Sequence, residues 1–173
     1  LLVESSCSLS LIGDDLAGIV RKMELPYQFI TMDCGGLVGG FAEGYTKAAI
    51  SVVDKFSHKN LAVQANSVNV LGLSDFYYNG TADRKEICRL LKMAGYKINA
   101  IPGSGSSLED LEKLGAAGLN IVCNEELGLK LAQHLEKVFG TPYVVVGMPY
   151  GIEGTQDWLE HIHKALPCEN LQA

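Results

Sequence analysis

No apolar run in this chain approaches the ~20 residues that a bilayer span needs; the longest candidates, at residues 48–53 and 143–148, are far shorter. Positive charge is also scarce. Fourteen basic residues against 20 acidic ones give a net charge of −6, which excludes the basic stripe of a duplex-binding surface, so no nucleic-acid partner is expected. Cysteine is present but poor in pattern. The five thiols, Cys7, Cys34, Cys88, Cys123 and Cys168, are odd in number and contain no CxxC pair, so a disulfide framework is not expected and a reducing, cytoplasmic setting fits best. The chain lacks an amino-terminal methionine and a charged-then-apolar leader, and it starts inside an apolar run. It is therefore read as a piece of a longer protein with no membrane partner.

Glycine is plentiful, with 19 residues placed between apolar runs as strand-to-helix turns require. The pattern alternates throughout. Strands are expected at residues 1–5, 27–32, 68–73, 97–101, 119–123 and 143–146. Helices are expected at 13–23, after the glycine cluster to Phe56, and at 81–94, 108–117, 125–139 and 155–165. Residues 7–11 read as a turn. Gly95 and Gly140 stop the helices before them. Several strands are unbroken apolar runs, which implies a mostly parallel sheet covered on both faces. The fold class is α/β, drawn as two Rossmann-like βα units with helices on both faces. The polar stretch 57–67 suggests a boundary, with 1–62 the end of one domain and 63–173 a second.

Parallel α/β sheets place ligands at the carboxyl ends of their strands, and Cys7, Cys34 and Cys123 all fall there. Cys7 stands between a strand end and a helix start, where backbone N–H groups favour a thiolate able to ligate iron; a small buried residue at a tight turn is the plainer alternative. Cys88 reads as a core thiol within a helix, and Cys168 has no assigned role. The run Gly103-Ser104-Gly105-Ser106-Ser107 lacks the third glycine of GxGxxG and the Gly-Lys-Ser/Thr end of a P-loop. Ser106 with Glu109, or Ser107 with Asp110, would instead cap the following helix. Asp14 and Asp15 suit helix capping better than cation binding, and Asn79-Gly80-Thr81 suits a capping turn better than glycosylation. His161 and His163, two apart on a helix, cannot pair on one metal.

Several segments together resemble the component 1 proteins of nitrogenase and their relatives. Cys7-Ser-Leu-Ser-Leu-Ile-Gly13-Asp14-Asp15 is similar to that family's Cys-x-x-x-x-Ile-Gly-Asp-Asp turn. The stretch from Cys34 to Gly39, with Gly44, resembles its glycine-rich turn and helix start. Leu119-Asn-Ile-Val-Cys-Asn, Gly140-Thr-Pro142 and Pro149-Tyr-Gly151-Ile-Glu-Gly154-Thr155 resemble, in order, the strand, Gly-x-Pro and Pro-x-Gly-x-x-x-Thr segments of the middle domain.

The resemblance implies an oxidoreductase subunit that receives electrons from an ATP-dependent iron–sulfur reductase and passes them through a metal cluster to a bound substrate. A homologous component 1 subunit would be its partner. Residues 1–62 would then close an N-terminal cluster-bearing domain, and 63–173 would be a Rossmann-like middle domain. Cys7 is implied as a metal ligand, with Cys34, Gly36 and Asn124 as further cofactor-binding candidates. For this segment alone neither a cluster nor turnover is expected, since a cluster takes about four thiolates. The sequence also departs from the dinitrogen-reducing subunit. Asn124 stands where that subunit has a metal-ligating cysteine, with Cys123 one place early, and Tyr45 stands near its histidine. That favours a partner-type subunit or a nitrogenase-like relative, such as a tetrapyrrole reductase. Alternation along the strand predicts Cys123 beneath the helix that starts at Glu125 and Asn124 toward the cleft. The competing readings are a non-catalytic scaffold for cofactor assembly, and a plain Rossmann-like binding domain using Gly103 to Ser107.

Overall fold

A computed structural model describes residues 1–36 and 39–168. Strands β1 (Leu2–Ser5) and β2 (Ile30–Asp33) form a parallel pair, with Ser5 opposite Asp33. Between them lie two short helices, α1 (Cys7–Ile12) and α2 (Leu16–Lys22). The segment expected as a turn is thus helical from Cys7, because the Ser6 hydroxyl accepts the Leu9 N–H and supplies an N-cap. α2 starts later than expected, at Leu16, since Asp15 caps it by accepting the Gly18 N–H.

The second sheet is parallel with strand order β4-β3-β5-β6, built from β3 (Ser67–Leu71), β4 (Lys97–Ala100), β5 (Leu119–Val122) and β6 (Tyr143–Val145). Its helices are α3 (Phe41–Phe56), α4 (Gly80–Met93), α5 (Leu108–Glu112), α6 (Glu125–Phe139) and α7 (Gly151–Ala165). The expected helix over 108–117 breaks after Glu112 into a 3-10 turn, Leu114–Ala116, whose side chains are buried. α7 begins four residues earlier than expected, at Gly151. Ser107 and Asp110 form a reciprocal capping box at the start of α5, as their spacing predicts.

Two cores cover the two faces of this sheet. Val68, Val70, Leu119 and Ile121 pack with Ile87 and Leu91 of α4 and with Trp158 and Ile162 of α7. Leu71 and Val122 turn the other way, onto Leu131 and Leu135 of α6 and Val53 of α3. The same alternation decides Cys123. It follows Leu119 and Ile121 onto the α4 and α7 face, so it is buried on the side away from α6, and the expectation that it lies beneath that helix is corrected. Between the layers runs a ladder of side-chain amides. Asn99 donates to Asn69 (2.7 Å), Asn69 to Asn120 (2.8 Å), and Asn120 to the Thr141 carbonyl (3.2 Å). The β3–β4 register slips at this point, Asn69 standing opposite Ala100, which leaves Asn99 to turn its amide inward.

Candidate functional site

The loop after β2 is tied to the start of α1 through one carboxylate. Asp33 accepts hydrogen bonds from the Ser5 hydroxyl (2.7 Å), the Ser10 hydroxyl (3.0 Å) and the Gly35 N–H (3.2 Å). The Ser5 hydroxyl, then the Gly35 N–H and the Ser10 hydroxyl, hold this carboxyl below its ordinary range. The Ser5 oxygen in turn accepts the Cys34 N–H (3.4 Å). This clamp sets the next residues against α1, so that the Gly36 N–H donates to Cys7 Sγ at 3.2 Å. Cys7 and Gly36 are therefore brought together, with Cys34 two residues away. The middle of the Cys34–Gly39 turn, residues 37 and 38, lies outside the described residues.

Cys7 is exposed at the first helical position of α1. Cys34 is also exposed, and its thiol is pushed up by partial desolvation, then by the negative charges of Glu4 and Asp33, against the pull of Lys47. The sequence pointed to both cysteines but not to the Ser5–Asp33–Ser10 clamp. Its signal was there, in four serines around Cys7 and an acid ending the neighbouring strand.

Beside this loop opens a cavity of about 730 Å³, bounded by the end of β2, the first turns of α3 and Phe76. Tyr45 stands in its wall. The Tyr45 hydroxyl lies 2.7 Å from the Pro102 carbonyl and 2.9 Å from that of Leu73, tying α3 to the ends of β3 and β4. Burial, with smaller contributions from Tyr77 and Asp75, pushes this phenol up to about 12. Only glycine fits at position 103, because a β-carbon there would run into the Tyr45 hydroxyl. The serine-glycine run is thereby committed to structure: Ser104 donates to Asp75 at 2.7 Å and Ser106 accepts the Ile101 N–H at 2.6 Å.

Asn124 sits away from the cavity lining, at the N-cap of α6, where its side-chain oxygen accepts the Leu127 N–H at 3.2 Å. The crevice between the ends of β3 and β5, where such sheets hold ligands, is narrow here. Gly72 has φ +86°, and a β-carbon on it would stand 2.5 Å from the Asn124 carbonyl oxygen. Asp14 and Asp15 assemble no cation site: among the described residues no group of three or more His, Cys, Asp or Glu side chains is placed to hold a metal. No helix among them is long and apolar enough to cross a membrane.

Comparison with known proteins agrees with this architecture. The B-type subunit of the light-independent protochlorophyllide reductase of Chloroherpeton thalassium is 30% identical over 170 residues, covering 96% of this chain and 31% of the relative. The same subunit from Zygnema circumcarinatum is 40% identical over 105 residues, covering 58% of this chain and 20% of the relative. The chain thus spans about three tenths or less of the length of these relatives. A solved structure of nitrogenase Cp1 at pH 5 superposes with a TM-score of 0.83 at 25% identity, covering 98% of this chain and 34% of that one. A second, at pH 6.5, has a TM-score of 0.77 at 21% identity, with 97% and 41% covered, and supports the fold. The model of the nitrogenase component 1 type oxidoreductases matches residues 1–173 from end to end, and the chain belongs to that family.

Proposed function

We propose that this chain is part of a subunit that takes electrons from an ATP-dependent iron–sulfur reductase and delivers them through a metal cluster to a bound tetrapyrrole. The carrying observation is the hydrogen bond from the Gly36 N–H to Cys7 Sγ, at the mouth of two parallel strands. A sulfur that accepts a backbone N–H, exposed at a strand end, has the chemistry of a cluster thiolate. Cys7 would be one ligand of an iron–sulfur cluster, and such a cluster would supply one-electron transfer. The other ligands belong, in this reading, to the rest of the protein and to a homologous partner subunit. Gly36 orients the thiolate, and the Asp33 clamp holds Gly36 in place. Asn124 is assigned to the fold, since its side-chain oxygen caps α6.

The choice of tetrapyrrole is supported by the relatives whose names specify protochlorophyllide reduction. The thiols suit a reducing compartment such as the cytoplasm. Residues 1–62 are taken as the end of a cluster-bearing domain and 63–173 as a middle domain, with α3 shared because Val53 packs into the second sheet's core.

The test uses the full-length protein with its partner subunit. Cys7→Ala is expected to lower bound iron and abolish tetrapyrrole reduction with reductase and ATP, whereas Cys88→Ala leaves both unchanged. Equal iron in the two variants would reject Cys7 as a ligand. Full iron content in the wild type without turnover would replace the reductase reading with that of an assembly scaffold.

A further inference from the structure

The cavity beside β2 has a wall that carries charge of both signs. Glu4 of β1 and Glu43 of α3 line it, as do Lys47 of α3 and Lys130 of α6. Among the described residues none of these four is in an ion pair. Glu43 and Lys47 have the four-residue spacing that favours pairing on a helix, but Glu43 turns back over Gly39 instead. A third carboxylate, Asp33, is already engaged, since its oxygens take three hydrogen bonds. Two carboxylates and two ammonium groups are thus free to meet a ligand in a space of about 730 Å³. That volume lies in the ~300–1,000 Å³ range of small-molecule sites.

Thr46 is an observation independent of charge. It is 4% exposed and lines the same cavity, next to Lys47 on α3. In α7 the Thr155 hydroxyl donates to the carbonyl four residues back at 2.7 Å, whereas the Thr46 hydroxyl makes no hydrogen bond among the described residues. Every fully enclosed side-chain oxygen among those residues has a partner, so the Thr46 oxygen is not enclosed but opens on the cavity. A hydroxyl so placed gains a bond when a polar ligand group arrives and loses one when an apolar group does. The rest of the wall is largely apolar. Met32 and Ile50 line it, and Phe41 and Phe76 meet edge to face (6.5 Å, 76°), closing one side with no slot between them.

A bare anion in this space would meet Glu4 and Glu43, and a bare cation would meet Lys47 and Lys130. A molecule with one charge of each sign satisfies both pairs, and an apolar body between its charges suits Met32, Ile50 and Phe41. From this geometry we infer that the cavity binds a short zwitterionic peptide, the size of a dipeptide, with apolar side chains. Its carboxylate goes to Lys47, Lys130 and the Thr46 hydroxyl, and its ammonium group to Glu4 and Glu43. Neither the cluster nor the reductase is needed for this binding.

The experiment is calorimetric titration of the full-length protein with the dipeptide leucyl-leucine. Beside it run the N-acetyl dipeptide, which keeps only the carboxylate, and the dipeptide amide, which keeps only the ammonium group. Saturable binding of the parent is expected, with each blocked form weaker by about fivefold or more. Lys47→Met with Lys130→Met should raise the Kd of the parent about fivefold and leave that of the amide unchanged. Glu4→Gln with Glu43→Gln should raise the Kd of the parent by a similar factor and not weaken the acetylated form. Thr46→Val, which keeps the shape and removes the hydroxyl, should raise the Kd of the parent roughly threefold. Lys137, exposed on α6 and outside the cavity, is the control, and Lys137→Met should not alter affinity.

Absence of saturable binding by the parent dipeptide overturns the inference, as do blocked forms that bind as tightly as the parent. Double variants that both bind the parent as the wild type does overturn it as well. A lysine double variant that weakens parent and amide alike overturns the carboxylate anchor, and a glutamate double variant that weakens parent and acetylated form alike overturns the ammonium anchor. An unchanged Kd in Thr46→Val overturns the part given to that hydroxyl. A loss in Lys137→Met equal to that of the cavity lysines would mean attraction to surface charge in general, which overturns the site.

Discussion

Replacing Asn69 by alanine removes the centre of the amide ladder that crosses the second sheet. The side chain is fully buried and makes three hydrogen bonds: it donates to Asn120 Oδ1 (2.8 Å) and to the Leu114 carbonyl (3.0 Å), and it accepts from Asn99 (2.7 Å). Among the described residues no buried side-chain nitrogen or oxygen lacks a partner, so the ladder is complete as it stands. The alanine variant strands one buried acceptor, Asn120 Oδ1, while the Leu114 carbonyl keeps the Ala117 N–H (3.5 Å) and Asn99 keeps its bond to the Lys113 carbonyl (3.0 Å). At roughly 1–3 kcal/mol for the stranded group, with about 1 kcal/mol for the lost bond to Leu114, the loss should be about 3 kcal/mol. That is a large share of the ~5–15 kcal/mol of a typical domain. In urea, with a slope of about 2 kcal/mol/M, the midpoint should fall by roughly 1.5 M with the slope unchanged. Asn99→Ala, at the half-buried end of the ladder, should cost less, about 1–2 kcal/mol. The double variant Asn69→Ala/Asn120→Ala should cost at least ~1 kcal/mol less than the sum of its singles, because both break one network. A loss below about 1 kcal/mol for Asn69→Ala, or strict additivity with Asn120→Ala, would show that the ladder contributes little and that the argument from burial is wrong.

Burial is the main cause that pushes the Tyr45 and Tyr96 phenols up to about 12 from an ordinary 10.0. The unfolded chain releases these protons near pH 10 while the folded chain keeps them, so stability is intact below that pH and falls as pH rises from 10 toward 12. Denaturation midpoints measured across this window should fall with a slope that Tyr45→Phe and Tyr96→Phe each reduce, and an unchanged slope in both variants would refute the assignment. Gly72→Ala should destabilise by about 2–4 kcal/mol, since it adds a β-carbon against the Asn124 backbone at a left-handed φ. A thermal midpoint within error of the wild type would mean that the β3 and β5 ends part easily.

Much of the architecture was legible because local and global signals agree. α6 runs over the expected residues, Glu125–Phe139, since Asn124 caps one end and Gly140, at φ +73°, closes the other. The capping box at Ser107 and Asp110 followed from spacing alone. α1 was read as a turn because six residues are too few to show a helical period, and its cue was the single cap at Ser6. The early start of α7 was hidden by Gly151, whose φ of +71° lies outside the helical region, and by Gly154, which costs about 1 kcal/mol against alanine in a helix interior; burial of Trp158 and Ile162 outweighs that cost. The asparagine ladder was invisible because each asparagine interrupts an apolar run singly, and only pairing brings Asn69, Asn99 and Asn120 into one line. At the site, Cys7, Gly36 and Cys34 were readable from strand ends and motif. The Asp33 clamp depends on β1 lying beside β2, which no local pattern states.

The five thiols divide by the layer in which they lie, and their reactivity should follow that division. Cys123 and Cys168 are buried, and Cys88 is half-buried, all in the core beneath α4 and α7. Burial, reinforced by Cys88, pushes the Cys123 thiol up to about 12 from 9.0, so at pH 8 its thiolate population is roughly a thousandfold below that of an ordinary cysteine. Access is blocked as well, so an electrophile should reach Cys123 only when the sheet opens. Cys7 and Cys34 are exposed and should react with a maleimide in the folded chain. Cys34 should react more slowly than an unperturbed thiol, because desolvation and the charges of Glu4 and Asp33 raise it. Peptide mapping after timed labelling at pH 8 should therefore find Cys7 and Cys34 modified first and Cys88 later. Cys123 and Cys168 should be modified only in denaturant. The order matters for function, since a thiol open to a small electrophile is open to a metal cluster and a buried one is not. If Cys123 were labelled as fast as Cys7, the strand alternation that sends it to the α4 and α7 face would be wrong, and the metal-ligand role would pass to Cys123.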